Sequence, residues 1–97
     1  MIHKIKILKK YADAKIEGIK PFEIRKNDRK YKVNDQIMYT AIDSETGKKI
    51  EHEINKKVYE IVYITNFMQI ENYIVFSDKE LPSDKYSRAN DMVTLIL

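Results

Sequence analysis

The sequence predicts one α+β domain, with several short strands in a curled or barrel-like sheet and a single short helix after the first strand. Three observations predict this fold. Segments with apolar–polar alternation outnumber the one segment with helical spacing, and turn-forming residues separate them. The chain of 97 residues is also long enough for one hydrophobic core and too short for two. The domain is therefore expected to span residues 1–97.

The first strand and the helix are predicted from a change of period. His3, Ile5 and Ile7 alternate with lysines, so they are expected to share one face of a strand. The apolar residues that follow have helical spacing, which predicts a helix over about residues 9–17. Gly18 is expected to end this helix.

The second strand is predicted around Phe22, Glu23, Ile24 and Arg25, which alternate strictly. Phe22 and Ile24 are expected to face the core because they are apolar, and Glu23 and Arg25 to lie on the opposite side. A basic loop with Asn and Asp turn formers follows, and residues 36–42 are predicted as the third strand.

The remaining strands follow a strong turn signal at residues 44–47. A run over residues 50–65 is predicted to return as the second arm of a long β-hairpin. Two more strands are expected at residues 73–77 and 92–97. A polar loop or insertion is expected around residues 77–91.

The charge of the chain is unevenly distributed. Residues 1–32 contain eleven basic and four acidic side chains, a net charge of +7, whereas residues 33–97 contain seven and eleven, a net charge of −4. A basic face would attract phosphate-bearing ligands in a salt-dependent way, although a solvated lysine surface gives the same composition. No apolar run reaches the length of a membrane span, so a soluble, cytoplasmic protein without membrane contact is expected.

Residues typical of metal and nucleotide-triphosphate chemistry are missing from the sequence. There is no cysteine, no paired histidine spacing and no glycine-rich phosphate loop, so no metal site and no cofactor are expected. His52 lies between glutamates and is predicted to be a surface residue. His3 has two readings, a structural role or a place in a pocket.

Lys20, Glu23 and Arg25 are the side chains best suited to form a site. Alternation places Glu23 and Arg25 on one side of a strand, and Lys20 precedes that strand. In a cleft, the cations would hold an anion while Glu23 accepts hydrogen bonds or acts as a base. On an open surface, the same residues would form a solvated ion pair of little consequence.

The tyrosines also have two readings. Tyr39, Tyr59 and Tyr63 occupy positions typical of a core, and they are predicted to be buried. Tyr31 lies between two lysines in the basic loop, and it is the better candidate for stacking on an unpaired base.

The pattern Gly18-x-Lys20-x-x-Glu23-x-Arg25 resembles the ASCH domain of the PUA-like superfamily. The resemblance covers roughly residues 2–77, and it is closest to a small stand-alone subgroup of unknown function found in Firmicutes and their phages. It implies a PUA-like β-barrel whose helix covers one opening. It also implies that RNA or a nucleoside binds in the cleft between helix and barrel.

The resemblance implies specific site residues. Lys20, Glu23 and Arg25 match the cleft positions, and further candidates are given by the same motif and its surroundings: Lys6, Asn27 and Arg29. The glycine that the family has before a loop aspartate is replaced by Asn34, a residue that tolerates the left-handed conformation.

The function expected from these residues is RNA binding through a basic cleft. The alternative is a small hydrolase of modified nucleosides or RNA, with Lys20 and Glu23 as catalytic candidates. One ASCH branch looks like an amidohydrolase with a lysine, a hydroxyl residue and a glutamate, but Glu23 stands where the hydroxyl residue would be. These residues leave the choice between an enzyme and a binding protein open, and they favour the binding protein. A third reading is a protein-interaction domain, and the strand at 92–97 could pair two copies in a homodimer.

Overall fold

The computed structural model of this chain describes residues 1–20, 22–67 and 70–82. Within these described residues there are five strands, one α-helix and one short 3-10 turn. In chain order these are β1 (Ile2–Leu8), α1 (Lys9–Ile16), β2 (Phe22–Lys26), β3 (Gln36–Ile42), the 3-10 turn (Glu53–Lys56), β4 (Tyr59–Asn66) and β5 (Tyr73–Glu80).

The five strands form one mixed sheet in the order β1-β3-β4-β5-β2. β1 and β3 are parallel, with α1 in the connection that follows β1, and the other neighbours are antiparallel. The α+β class is therefore confirmed. β1 and β2 are the two edges of this sheet, and within the described residues they do not pair as strands, so the sheet is not closed into a barrel.

The predicted first strand, helix and third strand are confirmed. His3, Ile5 and Ile7 are buried on one face of β1, as the alternation predicts. The helix α1 ends one residue before the predicted limit, and Gly18 follows it with a φ of 78°. A side chain is strained in this left-handed conformation, which explains a glycine at the end of the helix.

The long β-hairpin is only partly correct. The turn at 44–47 is present, but the return strand begins at Tyr59 because the 3-10 turn interrupts the predicted run. Ile54 in this turn is fully buried, so core packing overrides the strand pattern. His52 caps the turn by accepting a hydrogen bond from the Ile54 N–H, and its Nε2 lies 2.7 Å from Asp13 Oδ1. The prediction of His52 as a surface residue was wrong, because its side chain is only 10% exposed.

The loop between β2 and β3 is held to β1. Asn34 has a φ of 78°, so it adopts the left-handed conformation that glycine would favour. The neighbouring Asp35 accepts a hydrogen bond from the Lys32 N–H, and its Oδ2 lies 2.8 Å from His3 Nε2. Burial raises the pKa of Asp35, but these contacts outweigh burial and the pKa lies below its usual value. His3 is buried in this contact, so it has the structural role.

The core lies on the inner face of the sheet, under α1 and the 3-10 turn. Tyr39 and Tyr59 are buried there, as predicted, with ring centroids 5.3 Å apart. Tyr63 is 60% exposed, and its prediction as a core residue was wrong. It follows an irregularity in the β4–β5 register between Ile61 and Tyr63, which turns its side chain to the outer face.

The C-terminal part of the chain is described only to residue 82. β5 continues to Glu80, so the first residues of the predicted polar loop belong to a strand. They do so because they pair with β4 through Tyr59, Glu60 and Ile61. The rest of that loop, and the predicted strand at 92–97 with its proposed dimer contact, lie outside the described residues. No helix among those described is long and apolar enough to cross a membrane.

Candidate functional site

The strand β2 has the predicted alternation but the opposite orientation. Glu23 is 2% exposed, whereas Phe22 and Ile24 are 44% and 43% exposed. The expectation that the apolar residues face inward was therefore wrong. Glu23 lies inside because cations from three directions meet it there. Their attraction offsets the cost of removing a carboxylate from water.

Three cationic side chains contact the Glu23 carboxylate. Lys20 Nζ donates to Oε2 at 2.8 Å, and Lys15 Nζ lies 3.3 Å from the same oxygen. Arg25 donates to Oε1 through Nε at 3.3 Å and through Nη2 at 3.1 Å. Both carboxylate oxygens are therefore engaged, and the Lys20 and Arg25 side chains are fixed at the surface above them.

Lys15 is the deepest of these cations. It projects from α1, and its Nζ donates to Asp78 Oδ1 at 2.7 Å as well as contacting Glu23. The Tyr39 hydroxyl donates to the other oxygen of Asp78. The ammonium also lies 5.2 Å and 5.3 Å from the ring centroids of Tyr39 and Tyr59, within the range of a cation–π contact. The buried charge cluster consists of Lys15, Lys20, Glu23, Arg25 and Asp78.

The cluster keeps Glu23 ionised. Burial alone raises the pKa of Glu23, but the charges of Lys15, Lys20 and Arg25 and the hydrogen bond from Lys20 outweigh it, so the pKa lies below its usual value. Burial, and then the charge of Asp78, raise the pKa of Tyr39 far above its usual value. Tyr39 is therefore a hydrogen-bond donor to Asp78 at any physiological pH.

A cleft of about 440 Å³ opens above the cluster, between the two edge strands and α1. Arg25 Nη1 crosses it to donate to the Lys6 carbonyl at 3.0 Å, which links β2 to β1. The size is within the range of small-ligand sites. The lining residues are Lys6, Ile7, Leu8, Tyr11, Lys20, Phe22, Glu23, Ile24, Arg25 and Ile42.

Comparison with known proteins places the chain in a family. The sequence model of the family described as "Domain of unknown function (DUF3850)" matches residues 2–77, well over half of the chain. The chain belongs to the DUF3850 family. No curated protein matches its sequence. The DUF3850 match includes four members of the buried charge cluster and ends one residue before the fifth, Asp78.

The predicted site residues of this DUF3850 domain separate into two groups. Lys6, Lys20, Glu23 and Arg25 line the cleft together. Asn27 lies away from it, at a second hollow of about 490 Å³ near the β4–β5 turn.

Arg29 and Tyr31 also lie away from the cleft of the DUF3850 domain. Arg29 is exposed in the loop after β2 and does not line the cleft. Tyr31 is only 7% exposed, with ring centroids 4.6 Å from His3 and 5.3 Å from Phe76. Its prediction as an exposed stacking surface was wrong, because the loop folds its ring onto the core.

Two charged residues of the cluster were not predicted from the sequence. Lys15 follows Ala12 by three residues, so helical spacing alone places it on the buried face of α1. Asp78 follows Ile74 and Phe76 at two-residue steps, so strand alternation places it on the inner face of β5. Lys15 and Asp78 are charged residues at positions where the helix or strand spacing predicts burial. This signal would have identified both of them from the sequence. Within the described part of this DUF3850 domain, no group of three or more His, Asp or Glu is placed to hold a metal ion.

The lowered pKa of Glu23 predicts a loss of stability in acid. The ionised Glu23 carboxylate contributes its full stabilisation at a pH above 4.5, the ordinary pKa of a glutamate. This contribution is lost as the pH falls through the lower pKa of Glu23 in the folded state. Below pH 4.5 we expect the free energy of unfolding to fall by about 1.4 kcal/mol per pH unit for each proton that the unfolded state binds and the folded state does not. Urea unfolding between pH 7 and pH 3 measures this. A Glu23→Gln variant should show a shallower fall, and an equal fall in both proteins would contradict the assignment.

Proposed function

We propose that this chain is a cytoplasmic, PUA-like domain of the ASCH type that binds RNA and takes one nucleotide unit into the cleft. The observation that carries the proposal is the cleft with two fixed cations on its floor. Lys20 and Arg25 side chains are 21% and 25% exposed, so a ligand can reach them. Glu23 holds both in place before any ligand binds, which lowers the entropic cost of binding.

Aromatic rings at the rim of the cleft support a nucleotide ligand. Phe22 and Tyr11 both line the cleft and are exposed. Lys20 Nζ lies 5.4 Å from the centroid of the Tyr11 ring, so cation and ring are adjacent. Unpaired bases stack on such rings while phosphates contact the cations. These two rings take the place that the sequence assigned to Tyr31.

The PUA-like assignment is supported by the approach of the two sheet edges. In an open sheet of this strand order, β1 and β2 would lie far apart. Here the Arg25 guanidinium reaches the Lys6 carbonyl, so the sheet curls until its edges almost meet. We infer that this is a barrel-like arrangement in which a cleft stands where β1 and β2 do not pair. The helix α1, which follows β1 directly, borders the cleft through Tyr11.

Binding is better supported than hydrolysis. A general base works best when its pKa is near the working pH and when a lone pair is free to take a proton. The pKa of Glu23 is lowered instead, and both of its oxygens accept hydrogen bonds or ion pairs from cations. Lys20 in turn donates to Glu23 and to the Phe22 carbonyl. These features suit a fixed binding surface.

The test is a titration of fluorescent single-stranded RNA at several salt concentrations. We expect the double variant Lys20→Ala/Arg25→Ala to bind about 10- to 100-fold more weakly, because two charge-assisted contacts are lost. The slope of log affinity against log salt should fall by about 1.4, the value for two phosphate contacts on a single strand.

A matched control removes the same charge elsewhere. Lys56 and Lys79 are exposed and do not line the cleft. The variant Lys56→Ala/Lys79→Ala should therefore retain most of the affinity and most of the salt slope. Circular dichroism would establish that both variants fold. Equal affinity of the two folded variants, or no RNA binding by the parent at low salt, would overturn the proposal.

A further inference from the structure

We infer that the group bound on the floor of the cleft is a phosphate monoester, as found on a nucleoside monophosphate or on the phosphorylated end of an RNA. This inference rests on the proposed function and makes it more specific. The nucleotide would enter with its terminal phosphate against Lys20 and Arg25. Its base would then lie toward the rim, at Phe22.

The free hydrogen-bond donors of the cleft point to this group. An ammonium carries three N–H groups, and within the described residues Lys20 uses two, for Glu23 Oε2 and the Phe22 carbonyl. A guanidinium carries five, and Arg25 uses three, for Glu23 Oε1 and the Lys6 carbonyl. In the contacts of the described residues, one N–H of Lys20 and two of Arg25 are left for a ligand. A guanidinium group binds phosphate oxygens through pairs of N–H groups.

The side chains of the cleft offer few acceptors. Glu23 is the one carboxylate among the described lining residues, and its oxygens are already occupied by Lys15, Lys20 and Arg25. The edge of a base presents both donors and acceptors, and a ribose presents hydroxyl donors. A phosphate presents acceptors alone. The floor therefore matches a phosphate better than it matches a base or a sugar.

The formal charge favours a monoester over a diester. The buried charge cluster has three cations and two carboxylates, an excess of one positive charge. The exposed Lys6 on the facing wall adds a second. A phosphate monoester carries close to two negative charges at neutral pH, whereas a diester within an RNA chain carries one. The monoester is the group that neutralises the cleft.

The test compares ligands that differ only in this phosphate. Uridine, adenosine, their 5′-monophosphates and inorganic phosphate would be titrated into the protein by calorimetry. A matched pair of RNA oligonucleotides, with and without a 5′-phosphate, would be titrated as well. We expect each phosphorylated ligand to bind at least about tenfold more tightly than its unphosphorylated counterpart, because the counterpart lacks a charge-assisted contact. The two sets of ligands distinguish a free nucleotide from an RNA end.

Two variants check the location. Lys20→Gln keeps a hydrogen-bond donor without the charge, and it should remove the preference for the phosphorylated ligand. Lys56→Gln changes an exposed lysine outside the cleft and should leave the preference intact. Thermal unfolding shows whether each variant is folded. Where Lys20→Gln does not fold, amide chemical-shift changes on adding uridine 5′-monophosphate to the parent locate the site, and shifts outside the cleft would overturn the inference.

The outcomes separate this inference from the proposed function. If RNA binds but phosphorylated and unphosphorylated ligands bind equally, the inference is overturned and RNA binding stands. If the monophosphates bind in the cleft and RNA does not, RNA binding is overturned and the phosphate site stands. If neither RNA nor any monophosphate binds, both are overturned.

Discussion

Replacing Glu23 with glutamine is expected to lower the free energy of unfolding by about 3–5 kcal/mol at pH 7. Glutamine has nearly the same shape, so the change removes the charge and little volume. Among the described residues, Lys15, Lys20 and Arg25 would then face one another with Asp78 alone to compensate. Because the Lys15 side chain is buried, its ammonium group cannot be solvated by water in the folded state. The repulsion therefore acts on the folded state.

Urea unfolding of the parent and the variant measures this effect. Glu45→Gln is the matched control, because Glu45 is exposed in the turn before Gly47 and the substitution is the same. It should change the free energy of unfolding by less than about 0.5 kcal/mol. An effect of Glu23→Gln as small as that of the control would mean that the buried charge cluster does not stabilise the fold.

The variant Lys15→Met is expected to have an effect of similar size, about 3–5 kcal/mol at neutral pH. Methionine fills the space of the lysine side chain but leaves Asp78 and Glu23 without the cation between them. In the parent, the charge of Lys15 is the largest effect that lowers the pKa of Glu23 against burial. The pKa of Glu23 is therefore expected to be higher in the variant. We therefore expect the cost of the substitution to decrease as the pH is lowered and Glu23 takes up a proton.

The measurement is urea unfolding at pH 7 and at pH 3, on either side of the range in which Glu23 takes up its proton. Lys10→Met is the matched control, since Lys10 is exposed on the same helix and its Nζ contacts only the Tyr11 ring, at 4.9 Å, in the described contacts. That control should cost less than about 1 kcal/mol at both pH values. A Lys15→Met variant with a pH-independent cost would show that lost packing, and not the unpaired carboxylates, destabilises the protein.

The sequence predicts the elements whose period is strict and whose partners are near in the chain. β1 and β3 have regular alternation, and α1 begins where the period changes, so their limits agree with the structure to within one residue. The 3-10 turn is missed because a short turn has no period of its own. Its position depends on Ile54 entering the core and on His52 meeting Asp13 from α1, and both contacts join distant parts of the chain.

The residues of the candidate site are predicted from their types, but the side of β2 that faces inward is predicted wrongly. Alternation separates Glu23 and Arg25 from Phe22 and Ile24, and this separation is correct. Alternation does not say which side is inside, and apolarity is the usual guide. Here the partners that reverse this rule come from α1 and β5, which the local sequence of β2 does not contain. The positions of Lys15 and Asp78 on buried spacings carry that information once the helix and β5 are considered together.

The strand order has a consequence for the time at which the cleft forms. β1 and β2 are the first two strands to be synthesised, but they occupy opposite edges of the sheet. Among the described strands β2 pairs with β5 alone, so this pairing is complete only after residue 77 has been synthesised. Contacts between distant residues are also those that slow folding. The cleft beside β2 is therefore expected to form only after β5, the last of the described strands, has been synthesised.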